Sequence, residues 1–495
     1  GLRLILDGEV FPEDSLADLL AGNTYVNIQS DDNMSGEIRG QIIVPSTMGS
    51  GGGILNDQGT LTVDNSTIDG NIASRAGGGI ETNVGTTTLT NVTLSNNVAG
   101  PDGAATPGNG GGLHVTGAGG VTINGGMVTG NTAAAEGGGL WNSSTGTMTI
   151  QAGGMGGTLI DSNTANGDGA VQGGGGIFNV GGTLSITDAT ISNNVSTATQ
   201  AGNGGGGILI EGGANNSITA NTSGTADGGG ILLTGGSTLT ISGGTISGNS
   251  ANRAGGGIEN NASTVTLTDV TLGGVMVADG NNAGVNGGGL HVSGAGTTNV
   301  NGGTVQNNVA GQEGGGLWNA TGTMTIDGTT ISGNSANAGN NGGNDQGGGG
   351  VFNIGGTLDI DNATITGNFA TVNAGNGGGV MTVGGTVTID DSTISGNSVA
   401  RAGGGIENNN GMLTLTGVIV GGTMVSDGNS AGVNGGGLHV TGSGTTNVNG
   451  GAFELNTAAQ EGGGLWNGTG TMTIDGVAIL QNVASGNGAD QGGGG

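Results

Sequence analysis

Three sets of glutamate, histidine and tryptophan are the residues of this 495-residue chain whose types and spacing could do chemistry. They are Glu81, His114 and Trp141; Glu259, His291 and Trp318; and Glu407, His439 and Trp466. Each histidine precedes its tryptophan by 27 residues. A carboxylate beside an imidazole favours the charged ring, and a charged ring stacks well on an indole face. Such a set could hold a sugar or a partner on its indoles, or simply lock neighbouring segments in register. Acid–base catalysis is the weakest reading, because an enzyme concentrates its chemistry at one site and does not dilute it over three copies. No catalytic residue is therefore assigned, and the nine residues form a candidate interaction stripe.

What brings them together is a repeated phrase. Runs of three or more glycines begin at Gly51, Gly77, Gly110, Gly137, Gly173, Gly204, Gly228, Gly255, Gly287, Gly314, Gly347, Gly377, Gly403, Gly435, Gly462 and Gly492. All but the last are followed at once by Ile, Leu or Val, at spacings of roughly 23 to 37 residues. A recurring unit of that size is the signature of a solenoid. The residue after the apolar one cycles in order: Glu81, His114, Trp141, Phe178, Leu209; then Glu259, His291, Trp318, Phe352, Met381; then Glu407, His439, Trp466. Arg75, Arg253 and Arg401 open the same phrase, RAGGGIE. The unit of duplication is thus five to six coils, and the cycling residues share one outward column.

Within a coil such as Gly228 to Asn252, three segments stand out: the triplet with its apolar residue, Leu239-Thr240-Ile241, and Thr245 to Asn249. The second and third alternate apolar and polar, which is the period of a strand. They are too short and too rich in Thr and Gly for helices. The fold class expected is all-β: a right-handed parallel β-helix of about 15–16 coils with three short strands each. The asparagine ending each coil is expected to take a left-handed corner and to stack in an amide ladder. The glycine triplets either permit a tight corner or form a bare strip that docks another rod.

Composition removes several function classes. The formal net charge is −30, with five Lys and Arg together, so nucleic acid is not a partner. No apolar stretch is long enough to span a bilayer. There is no cysteine, hence no disulfide or thiolate metal site. No cofactor is expected; corners such as Asp279-Gly280-Asn281 offer oxygens for weak Ca²⁺ binding but read first as solvated turns. Asn-x-Ser/Thr triplets at Asn65, Asn91, Asn319, Asn362 and Asn467 arise by chance in such a chain. Gly1 is not a natural start and Gly495 falls inside a repeat, so the chain reads as a segment of a longer protein.

The repeats from Gly51 to Gly495 resemble those of polymorphic outer-membrane proteins. GGG plus Ile, Leu or Val stands for the GGA phrase, and IxGN or VxxN stands for FxxN with an aliphatic residue in place of phenylalanine. The resemblance implies an extracellular, surface-exposed and often adhesive protein. Residues 1–46 differ, with few glycines and the single Tyr. Leu2 to Leu6 and Glu37 to Val44 read as strands and Pro12 to Leu20 as a short helix. Leu19 to Ile42 resembles the C-terminal half of a chordin-type (CHRD) domain through Leu20, Gly22, Tyr25-Val26-Asn27-Ile28 and Gly36-Glu37-Ile38-Arg39-Gly40-Gln41. That resemblance implies a β-rich extracellular module. Two domains follow, 1–46 and 47–495. The expected function is a secreted structural or adhesive surface or matrix protein, not an enzyme, self-associating into filaments. The competing expectation is a polysaccharide-binding or polysaccharide-degrading β-helix.

Overall fold

The computed structural model divides into two compact units, Gly1–Gly49 and Ser50–Gly495. It describes residues 25–30, 33–41 and 49–494, apart from 102–106, 168–171, 187–188, 200–203, 211–212, 215–217, 220–221, 224–226, 338–345, 372–374 and 489–491. In the first unit, Tyr25–Ser30 pairs antiparallel with Asn33–Gln41, with Ile28 opposite Ile38 and an irregularity before Ser30. The strand expected at Glu37 to Val44 falls partly on the second of these. The strand at Leu2 to Leu6 and the helix at Pro12 to Leu20 lie outside the described residues.

The second unit is a parallel β-solenoid. A representative coil contains the strands Leu317–Asn319, Thr323–Asp327, Thr330–Ser332 and Ser335–Ala336. Each pairs in parallel with its counterpart one coil on. The strands beginning after the triplets form a fifteen-stranded "glycine sheet" from Ile54–Asp57 to Leu465–Asn467, in unbroken coil order. At ~4.8 Å per strand this stacks to roughly 70 Å. A middle sheet and a third sheet carry the two alternating segments. The fourth, of two-residue strands such as Ser335–Ala336, also runs to fifteen strands and corrects the expectation of three per coil. It escaped notice because two small or polar residues show no period.

Alternation decides what is buried. In the representative coil Leu317, Met324, Ile326, Ile331 and Ala336 are fully buried, and all but Ala336 join one continuous core running through the coils. A second buried series is polar. Asn97, Asn131, Asn163 and Asn194, then Asn249 through Asn456, lie inside at one corner, one to each coil. The Asn334 Nδ2 donates to the Val305 carbonyl at 2.8 Å and to Asn368 Oδ1 at 2.9 Å. Its own Oδ1 accepts from the Asn308 backbone N–H and side-chain amide at 3.0 and 2.9 Å. Both donors and both lone pairs are used, which lets an amide reside in the core. The ladder is as expected, but the left-handed residue is the one before it, such as Gly333, Asn307 or Asn193.

The triplets are not a bare strip. From Gly77 to Gly464 they are buried. Gly314 takes φ +62°, and a Cβ on Gly315 would lie 2.5 Å from both the Gly349 carbonyl oxygen and the Ser335 carbonyl carbon. A Cβ on Gly316 would lie 2.6 Å from the Gly350 carbonyl and 3.1 Å from the Asn334 amide carbon. Glycine is required because the triplet runs against the two-residue strand and the asparagine ladder of its own coil. The docking-strip expectation therefore fails: the close approach is internal.

Candidate functional site

The glycine sheet positions all nine candidate residues in one column. Its register sets Glu81 beside His114 and His114 beside Trp141. It repeats this at Glu259, His291 and Trp318 and again at Glu407, His439 and Trp466. Between the sets the column continues through Phe178, Leu209 and Leu232, and through Phe352 and Met381.

The three sets share one geometry. Histidine Nδ1 lies 2.8, 2.7 and 2.6 Å from the glutamate Oε2 in chain order. The imidazole stacks on the next indole with centroids 4.2, 4.2 and 4.3 Å apart. The hydroxyl two residues after each histidine donates to the other carboxylate oxygen, at 2.6 Å from Ser293 and 3.0 Å from Thr441, and from Thr116 in the first set. Beyond the first two sets the stack carries on, Trp141 over Phe178 at 6.4 Å and Trp318 over Phe352 at 6.1 Å.

Burial corrects the expectation of an exposed outward stripe. Glu81, Glu259 and Glu407 are 1 to 3% exposed, the histidines 4 to 5%, and Trp318 8%. Trp141 and Trp466 are half-buried. The cover comes from residues the sequence reading did not single out. Glu136, Glu313 and Glu461 stand immediately before the triplet of each tryptophan coil, and each accepts the indole N–H at 2.9, 3.0 and 2.7 Å. Asn109 holds the same place before His114, and its amide donates to Glu136 at 3.0 Å. The left-handed first glycine turns this preceding residue back over the column. The signal was present as a constant spacing of five residues, Glu136 to Trp141, Glu313 to Trp318 and Glu461 to Trp466. The arginines of RAGGGIE strap the same edge: Arg253 pairs with Asp227, Arg401 with Asn376 at 3.3 Å, and Arg75 with Ser50 at 3.5 Å.

The glycine sheet is thus packed on both faces, as parallel sheets usually are. On its outer side Phe178, Leu209 and Leu232 make one small apolar cluster, and Trp318, Phe352 and Met381 another, each separate from the main core.

Other candidates disperse. The Asn281 amide is fully occupied in the ladder, which leaves Asp279 alone at the corner considered for Ca²⁺. Among the described residues no group of three or more His, Cys, Asp or Glu could hold a metal ion. Asn319 is fully buried and closed to glycosylation, whereas Asn65 and Asn362 are exposed. Asp359 lies near Asp361 and Asp390 on the open middle sheet; burial, then these two charges, raises its pKa.

Residues 6–42 match the family model of the CHRD domain. The CHRD match takes in the segment whose motifs resembled that family and reaches back toward the N-terminus, and it lies wholly within the first compact unit. No curated protein and no solved structure matches the chain. The likeness of the solenoid to polymorphic outer-membrane repeats rests on the phrase pattern alone. Among the described residues no helix is long and apolar enough to cross a membrane.

Proposed function

We propose that the chain is an extracellular structural rod, a scaffold or spacer of a cell surface or matrix. The observation that carries this reading is the burial of every glutamate and histidine of the column, with each tryptophan stacked and at least half-buried. The residues with the most chemistry face one another and their cover, not a ligand. Their threefold recurrence suits a device that holds coils in register along a rod. The CHRD match supports an extracellular setting, since modules of that family are typically found there. Adhesion and assembly into filaments extend this reading.

The polysaccharide reading draws less support. Sugar platforms need accessible rings, and here the indoles are stacked and capped. The nearest grouping of acids, Asp359, Asp361 and Asp390, sits on an open face. Electron microscopy of native surface material tests the proposal: elongated rods or filaments are expected. Cleavage of a polysaccharide by the purified chain would overturn it.

A further inference from the structure

The middle sheet has an outer face that the chain leaves open. In Thr238–Ser242, Leu239 and Ile241 point into the core, and Thr238, Thr240 and Ser242 point out. The register continues unshifted through nine strands to Thr471–Asp475. Outward residues therefore line up in straight columns. Across these strands the first column is threonine except at Met412, and the second is threonine except at Asn299, Asp359 and Asn447. The same pattern occurs earlier at Thr60 with Thr62 and Thr86 with Thr88.

Threonine is a good strand former, which accounts for some of this enrichment. It does not account for the charge. In a chain of net charge −30, Asp359 is the only ionisable residue in these two columns over the nine strands, and the acids gather in the third outward column at Asp327, Asp361, Asp390 and Asp475. Nor does it account for where the coils vary in length. The connection from Ala336 to Gly347 is much longer than that from Ala310 to Gly314, and the turns Val277–Asp279 and Val425–Asp427 bulge after the third-sheet strand. The links that follow the middle strands, from Ser242 to Thr245 through Asp475 to Ala478, keep one length. The long insertions in this span fall at other corners, and the stretch from the first residue of each glycine-sheet strand to the middle strand varies by a single residue.

The two threonine columns form a two-dimensional array of hydroxyls and methyls beside that acidic column. Neighbours repeat at ~4.8 Å across strands and at ~6.7 Å along them. The Asn299 amide donates to the Thr266 hydroxyl at 3.5 Å, and the other threonine hydroxyls of these two columns are open to water. Waters bound there inherit both repeats, with the methyls filling the gaps between them. The matching partner is an uncharged solid whose surface oxygens repeat at similar intervals. Ice is such a solid. Two columns holding a single charge suit it better than they suit a charged partner, and the absence of aromatic rings from both columns removes the usual platform for sugars.

We propose that the two threonine columns of the middle sheet bind ice. The proposal goes beyond the scaffold reading and does not depend on it, since a rod excluded from ice remains a rod. The test is partition of the purified chain into slowly growing ice beside an inert control protein, together with inhibition of ice recrystallisation. The native chain should be enriched severalfold in the ice fraction. The double variant Thr266→Tyr/Thr325→Tyr, which places bulk on an open face, should lose that enrichment while keeping its far-UV circular dichroism and melting temperature. Thr266→Val/Thr325→Val, which keeps the methyls, provides a second folded variant and should show a partial loss. Exclusion of the native chain from ice would overturn the proposal. So would folded variants that partition unchanged, or retention on crystalline cellulose or chitin by a chain that ice excludes.

Discussion

Replacing Asn334 by alanine isolates what the internal amide ladder contributes. The native side chain makes four hydrogen bonds: two donated, to the Val305 carbonyl and Asn368 Oδ1, and two accepted, from the backbone and side chain of Asn308. Asn334 and its neighbours Asn308 and Asn368 are fully buried, so no bulk water replaces what is lost. Each bond contributes about 1 kcal/mol net, and a buried group left orphaned costs about 1–3 kcal/mol. The expected loss is about 4–8 kcal/mol, at the extreme for a single substitution. Because solenoid stability is a sum of nearest-neighbour terms, the damage should be confined to the coils meeting at that rung. Guanidinium unfolding followed by circular dichroism should split into two transitions, and limited proteolysis should open a new cut near residue 334. Asn252→Ala, at an exposed position outside the left-handed region, should change stability by no more than about 0.5 kcal/mol. A loss below ~1 kcal/mol for Asn334→Ala, or a new cut remote from that rung, would refute the argument that the ladder is an integral part of the core.

Glu259→Ala should cost about 3–5 kcal/mol in a thermal or denaturant melt, because it strands a buried histidine that it contacts at 2.7 Å. Gly315→Ala should abolish soluble folded protein, since its Cβ would meet backbone at 2.5 Å, whereas Gly328→Ala, at φ +61° with nothing within 4 Å, should cost only about 1–2 kcal/mol. Burial pushes the Asp161 carboxyl up, but the Ser192 and Ser162 hydroxyls and the Asn193 amide together hold it below its ordinary value. Its contribution to stability is therefore present above about pH 4 and lost as pH falls through the lower folded value, so Asp161→Asn should flatten acid unfolding in that window. Asp359 is raised, so its charged form weakens the fold at neutral pH and the penalty disappears on acidification; Asp359→Asn should stabilise the rod near pH 7 and make no difference well below pH 4.

The solenoid could be read from its phrase because glycine and the apolar residue after it mark the same point in every coil. The cycling residue then fixed the pairings: Glu81 with His114, and His114 with Trp141, follow once the triplets are aligned. Burial of that column did not follow. Alternation assigns a side chain to a face of the sheet but cannot say what else lies on that face. The cover arises from the left-handed glycine at the head of each triplet, such as Gly137 at φ +62°, which turns Glu136 back toward Trp141. A backbone reversal of this kind leaves no periodic trace. The triplets misled for a related reason: the absence of a side chain reads equally as room for a partner or as room for the chain itself. Close contact between Gly315 and the two-residue strand at Ser335–Ala336 decides for the second, and that strand was itself too short to detect.

A stack of near-identical coils faces a problem that a globular fold does not. Its main-chain ladder, its inner aliphatic rows and its asparagine rungs would pair almost as well if one coil were skipped. Register in a parallel sheet must then come from side chains that differ between coils. The outer column supplies this. His291 meets a carboxylate at Glu259 on one side and an indole at Trp318 on the other. Skipping the histidine coil would set Glu259 against Trp318, and skipping the tryptophan coil would set His291 against Phe352, losing the ion pair in one case and the buried indole with its Glu313 hydrogen bond in the other. Each error strands a polar group under cover, at about 1–3 kcal/mol or more. Only a slip by a whole super-repeat restores matching neighbours, and that slip leaves several coils of apolar core unstacked. Burying three Glu–His pairs is costly as a source of stability alone. It is intelligible as the means by which a repetitive chain reaches one alignment.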